Sequence, residues 1–184
     1  KEGKSGAYRD PTHFIELRPE IDEMLLKKII SVCKNTDDSI LDLGCNSGRH
    51  LNYLYNHGYK NLNGVDIMKS ALDNFDKAFP NCSKVTNKKY DLFQNFLLKS
   101  SNRKYNLVYS VGATIELVHP SFDIIHEMCR VASKYICLLV QEDSQEYPRF
   151  YVHEFKKNNF KLLDFERPIK NTNISFLFFR RHEN

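Results

Sequence analysis

The feature that most restricts this chain is the passage Ile40-Leu41-Asp42-Leu43-Gly44-Cys45-Asn46-Ser47-Gly48, in which a short apolar run turns through two glycines into a helical pattern. An apolar run of this length bounded by turn formers reads as a buried strand. Where such a strand turns sharply into a helix, glycine is needed because backbone must pass close to a ligand, and Gly44 and Gly48 fill those two places. The start of the helix after Gly48 offers amide groups and a partial positive charge, suited to a carboxylate or another anionic group. About twenty residues after Gly44, a second strand over residues 62–66 ends in an acid, Asp66, at the separation where a carboxylate accepts the ribose hydroxyls of an adenosine. A pyrophosphate site would favour Gly-x-Gly-x-x-Gly. Here Asn46 stands at the middle glycine and no third glycine follows, so a ligand without phosphates fits better, although spacing alone does not separate NAD from other adenosine cofactors.

The rest of the chain repeats a strand-then-helix rhythm. Ile21, Met24, Leu25, Ile29 and Val32 recur at helical spacing and predict an amphipathic helix over residues 19–34, with Pro19 suited to its first turn. Further helices are expected over residues 48–57, 69–79 (stopped by Pro80), 122–131 and 149–157. Strands are expected over residues 39–43, 62–66, 107–111, 135–140, 160–166 and 175–180, with a weak one around residues 84–86. This alternation predicts an α/β Rossmann-like open sheet of about seven strands, mostly parallel, with helices on both faces. The last two strands are joined by a loop too short for a crossover helix, so the C-terminal strand is expected to be antiparallel.

A length of 184 residues with 41% hydrophobic content fills one substantial core, and one domain is expected over residues 1–184, with residues 1–35 as an arm and helix and residues 36–184 as the core. The polar start and short apolar runs predict no signal peptide or membrane span and a cytoplasmic protein. Cysteines 33, 45, 82, 129 and 137 form no Cys-x-x-Cys pair, which fits a reducing compartment and predicts no metal site. The net charge of +4 comes from scattered Lys and Arg, with short clusters at residues 88–89, 156–157 and 180–181, so a nucleic-acid partner is not expected.

On these residues the chain resembles the class I S-adenosylmethionine (SAM) dependent methyltransferases from about Ile40 onward. Asp42 to Gly48 is similar to the family's acid-x-Gly-x-Gly-x-Gly loop, and Asn63-Gly64-Val65-Asp66-Ile67 to its second motif. Tyr90-Asp91-Leu92 stands where an acid and its successor contact adenine. Lys104-Tyr105-Asn106-Leu107-Val108-Tyr109-Ser110 is similar to the fourth-strand motif, with Asn106 in place of the usual Asp. Residues 113–120 resemble the Val-Leu-Glu-His-Ile-x-Pro pattern of small-molecule members, with Leu117 in place of its His. The terminal strand pair matches the family's antiparallel ending. A Pro-Thr-x-Phe element (residues 11–14) and the Gly-Cys-Asn-x-Gly-Arg loop are similar to methylases of bacterial surface-sugar pathways.

The resemblance implies SAM as cofactor, S-adenosylhomocysteine as product, and cofactor contacts from Arg18, Asp42, Gly44, Cys45, Asn46, Gly48, Asp66, Ile67, Asp91, Leu92, Ser110 and Val111. Methyl transfer from a sulfonium is an in-line displacement in which alignment and water exclusion matter most. For a hydroxyl acceptor a base helps, and Glu116 and His119 are the candidates. Tyr8, Arg9, His13 and Arg18 of the arm, with Tyr147 and Arg149 of the loop after the fifth strand (residues 135–140), are candidates for selecting the acceptor. With no Asn-Pro-Pro-Tyr or Pro-Cys segment, a small hydroxylated metabolite such as a sugar is the favoured acceptor of an O-methyltransferase. The alternatives are a methyltransferase-fold subunit that activates a partner or binds RNA, and an NAD-linked reductase. A homodimer stays open.

Overall fold

The computed structural model describes residues 11–112, 114–142 and 146–182. Seven strands form one sheet in the order β3-β2-β1-β4-β5-β7-β6: β1 (Ile40–Leu43), β2 (Leu62–Asp66), β3 (Asn87–Tyr90), β4 (Tyr105–Val111), β5 (Ala132–Val140), β6 (Phe160–Glu166) and β7 (Ser175–Arg181). All neighbours pair in parallel except β7, which runs antiparallel to both β5 and β6. The α-helices among the described residues are α1 (Pro19–Val32), α2 (Arg49–Asn56), α3 (Lys69–Ala78), α4 (Pro80–Val85), α5 (Phe93–Lys99), α6 (Ile124–Val131) and α7 (Tyr151–Lys157).

Side chains of the central strands alternate between two cores, as the pleat requires. Leu41 and Leu43 of β1, Val108 of β4, and Ile136, Leu138 and Val140 of β5 meet α5, α6 and α7 on one face. Ile40, Leu107, Tyr109, Cys137 and Leu139 meet α1, α2, α3 and α4 on the other. Helices thus cover both faces of a Rossmann-like sheet. The chain builds outward from β1 through β2 to β3, then jumps to β4 on the other side of β1. That reversal opens a crevice at the carboxyl ends of β1 and β4, where ligands bind in open α/β sheets.

The structure departs from the expectations at several points. The weak strand around residues 84–86 is the end of α4, and the third strand is instead the polar edge Asn87–Tyr90. Pro80 does stop α3, but it also opens α4 from its first turn, where its missing N–H costs nothing. Helix α5 was not anticipated, because seven residues are too few to show a period; its buried Phe93, Phe96 and Leu97 hold it in place. On α1 the buried stripe is Asp22, Leu25, Leu26 and Ile29, rotated from the apolar reading so that an acid lies on the inner face. Among the described residues, no helix is long and apolar enough to cross a membrane.

Candidate functional site

The loop between β1 and α2 lies at the crevice. Gly44, Asn46 and Gly48 all have positive φ, at 93°, 46° and 75°. Asparagine is among the few residues that tolerate this region, which explains how Asn46 replaces a glycine without breaking the turn. The reason for the two glycines differs from the expected approach of a ligand. A Cβ on Gly48 would stand 2.4 Å from the Phe75 ring, and one on Gly44 would stand 2.3 Å from Thr114 Oγ1, so the chain's own side chains fill those spaces.

Side chains from three elements fix the loop. Asp66 at the end of β2 is buried, and its two oxygens accept from the amides of Asn46 and Met68, each at 2.8 Å. Burial raises its pKa while those amides and the Ile67 amide oppose the rise. Each carboxylate oxygen keeps acceptor capacity for a further donor. The Asn46 Oδ1 accepts from the Ser47 amide at 2.7 Å, and Asn74 of α3 donates to Ser47 Oγ at 2.9 Å. Ser110 near the end of β4 donates to the Leu43 carbonyl at 2.9 Å, tying the two strands that flank the crevice. Cys45 is buried beside Gly64, and burial raises its thiol pKa well above the ordinary value, so it packs rather than reacts.

Asp42 is buried on β1. One oxygen accepts from Tyr109 Oη at 2.8 Å, while Oδ1 has no hydrogen-bond partner. Burial pushes its carboxyl up to about 8, outweighing the Tyr109 hydrogen bond. A buried, unpartnered carboxylate oxygen beside an uncapped helix start is matched to a ligand that carries an ammonium next to a carboxylate. Exposed apolar surface at the ends of the next strands, Ile67 at 41% and Leu92 at 55%, offers flat cover for an adenine. The methionine, ribose and adenine parts of SAM therefore find chemically suited residues in chain order. Bound SAM supplies a methyl carried on a sulfonium.

The Asp42 carboxyl makes this fit testable through protons. An acid with its pKa near 8 is largely protonated at pH 7 and must ionise to pair with a cation. Binding of S-adenosylhomocysteine at pH 7 is expected to release up to about one proton, with affinity rising by up to about tenfold per pH unit between pH 6 and 8. Calorimetry in buffers of different ionisation enthalpy reads the proton directly. A buffer-independent heat in the wild type, or an undiminished proton release in Asp42→Asn, would contradict it.

The other expected contacts are distributed as follows. Asp91 is half-buried and engaged with the Leu92 amide at 2.9 Å and with Lys99 at 3.2 Å. Val111 is half-buried at the end of β4. Arg18 has a 43% exposed side chain whose Nη2 lies 3.0 Å from Asp22. His13 is exposed in a single 3-10 turn, Pro11–Phe14, while Tyr8 and Arg9 lie outside the described residues.

Four of the candidates, Glu116, His119, Tyr147 and Arg149, lie on two loops that meet. Glu116 is buried, and its Oε1 accepts from the Gln141 amide at 2.5 Å. The His119 and Tyr147 rings meet edge to face with centroids 5.2 Å apart. Arg149 donates to the Val118 carbonyl at 2.6 Å. Three links thus join the loop after β4 to the loop after β5. His119 Nδ1 accepts from the Ser121 amide at 3.1 Å, which places the proton of a neutral imidazole on Nε2. In this arrangement His119 is a hydrogen-bond donor, and Glu116 is the carboxylate candidate for a base.

Residues that sequence reasoning passed over are Tyr109, which supports Asp42, and Asp22, Arg49 and His50, which form a buried polar cluster behind the loop. Asp22 was legible as an acid in phase with Leu25, Leu26 and Ile29. Tyr109 carried no signal, because a tyrosine on a central strand is ordinary core.

Comparison with protein families matches residues 40–134 to a family described as a methyltransferase domain. No curated protein matches the chain. Solved structures do. A Listeria monocytogenes protein assigned as an SAM-dependent methyltransferase is 17% identical, with a TM-score of 0.68, over 91% of this chain and 99% of its own. Magnesium protoporphyrin IX methyltransferase of Synechocystis with bound SAM is 13% identical, with a TM-score of 0.70, over 99% and 87%. The 1,6-didemethyltoxoflavin-N1-methyltransferase of Burkholderia thailandensis, bound to 1,6-didemethyltoxoflavin and S-adenosylhomocysteine, is 12% identical, with a TM-score of 0.70, over 90% and 78%. The likeness of fold spans nearly the whole chain, the family match spans the loop, Asp66 and the strands that flank the crevice, and this protein belongs to the class I SAM-dependent methyltransferases.

Proposed function

We propose that the protein transfers the methyl group of SAM to a hydroxyl of a small acceptor, a sugar or related metabolite. The observation that carries this reading is the joining of the two loops above the crevice through Glu116–Gln141, His119–Tyr147 and Arg149–Val118. Loops cross-tied in this way form a compact wall of polar and aromatic groups, which suits enclosure of a small polar molecule and exclusion of water. Glu116 serves as the base for the hydroxyl proton, His119 donates a hydrogen bond to the acceptor, and Tyr147 and Arg149 select it. The domain acts as a single unit over residues 1–184 in the cytoplasm, with SAM and the acceptor as its ligands.

The test is transfer of labelled methyl from SAM to a panel of hydroxylated sugars, with RNA and protein acceptors alongside. Label is expected in a small hydroxylated product, and Glu116→Gln is expected to lower kcat by about 10²–10⁴-fold, the range for loss of a general base. His119→Gln, which keeps a donor, should cost much less. Label in RNA or protein only would replace the acceptor class, and an unaltered kcat in Glu116→Gln would remove the base.

A further inference from the structure

We propose that Asp22 of α1 is a positioning residue for the cofactor site, acting through Arg49 and His50 to set the pitch of α2 and hence the direction of the amides that follow Gly48. The proposal rests on the cofactor reading given above and adds a residue outside the loop itself.

Asp22 is completely buried, and both of its oxygens are engaged. Oδ2 accepts from the Arg18 amide at 2.7 Å and lies 3.2 Å from Arg49 Nη2. Oδ1 lies 3.0 Å from Arg18 Nη2 and 3.2 Å from His50 Nε2. Arg49 and His50 are the first two residues of α2, and both are buried. One carboxylate on α1 therefore grips the opening of the helix whose start faces the crevice. Arg49 also donates to the Glu16 carbonyl at 3.2 Å, so the segment before α1 is held to the same point.

Two features favour positioning over plain stability. A buried ion pair is weak evidence for stability, since apolar residues of similar size often serve as well, and its clearer use is to fix one geometry. The cap position of α2 is Gly48, which provides no side-chain oxygen, so the usual cap side chain does not fix the direction of the first-turn amides and the packing of Arg49 and His50 takes that part. From the other side Phe75 presses on Gly48. The helix start is thus clamped between α1 and α3. The His50 ring also meets the Tyr109 ring at 6.2 Å between centroids, and Tyr109 holds Asp42, so the cluster reaches Asp42 as well as the start of α2.

The test uses the full chain and titration with S-adenosylhomocysteine, with the folded fraction checked by circular dichroism below the unfolding temperature. Wild type, Asp22→Asn, Arg49→Lys, the double variant and Asp164→Asn are compared. The last breaks another ion pair of α1, Lys28–Asp164, on the outer sheet edge. Folded Asp22→Asn is expected to bind at least tenfold more weakly, the double variant no more weakly than the worse single variant because both act through one contact, and Asp164→Asn within twofold of wild type. A folded Asp22→Asn protein with wild-type affinity, or additive losses in the double variant, would overturn the proposal. If Asp22→Asn does not fold, Arg49→Lys decides: weakened binding at an unchanged unfolding temperature supports positioning, and unchanged affinity contradicts it. Failure of the wild type to bind would instead count against the cofactor reading.

Discussion

Asp66→Ala is expected to lose SAM binding by roughly 10²–10⁴-fold, or about 3–6 kcal/mol, because two hydrogen bonds from ribose hydroxyls to a carboxylate are each worth about 1.5–3 kcal/mol. The loss is compounded at the loop, where the same carboxylate accepts from the Asn46 and Met68 amides. Removing it leaves the turn at Asn46 without its tie to β2. Asp66→Asn separates the two contributions, since an amide retains one acceptor oxygen for the loop but offers no charge to the ribose. Because two amides need an acceptor and this variant has one oxygen for them, it should restore part of the thermal stability and less of the affinity. Calorimetric titration with S-adenosylhomocysteine, beside thermal melts of the three proteins, checks both. Equal affinity in Asp66→Ala and wild type would remove Asp66 from the site.

Gly48→Ala is expected to be strongly destabilising. A left-handed backbone at an L-residue costs about 1–2 kcal/mol, and forcing a Cβ to within 2.4 Å of the Phe75 ring adds strain of about 1–3 kcal/mol. Together these lower the unfolding temperature by on the order of 10 °C for a chain of this size. Gly112→Ala is the informative comparison. Gly112 also has positive φ, at 50°, but a Cβ there meets nothing within 4 Å, so it carries the backbone cost alone. Gly48→Ala combined with Phe75→Leu should recover part of the loss by making room for the methyl. A Gly48→Ala melt no lower than that of Gly112→Ala would mean that Phe75 does not restrict the turn.

The contrast between these glycines marks what could and could not be read from the sequence. The strand-glycine-helix passage and the acid ending β2 follow from local chemistry, since a buried apolar run, two turn residues and a carboxylate at a strand end leave few arrangements. The antiparallel end of the sheet followed from the length of one loop. What the glycines press against was not legible, because Thr114 and Phe75 reach them across the fold from distant parts of the chain. Helix α5 was hidden by its shortness, and α4 by the custom of reading proline as a stop when it can equally start a helix. Asp22 was visible as an acid among apolar positions, but its partners Arg49 and His50 lie a strand and a turn away. Their meeting is a property of the packing. Similarly, His119 was legible as a polar group at the crevice, while its tautomer depends on the Ser121 amide two residues on.

The measurement that tests the central claim most directly is titration of the wild-type protein with S-adenosylhomocysteine in a calorimeter. Saturable heat at one site per chain, competed by SAM and not produced by NADH, is the predicted result. A flat titration with S-adenosylhomocysteine, or heat with NADH in its place, would contradict the assignment of the loop, Asp42 and Asp66 as a SAM site.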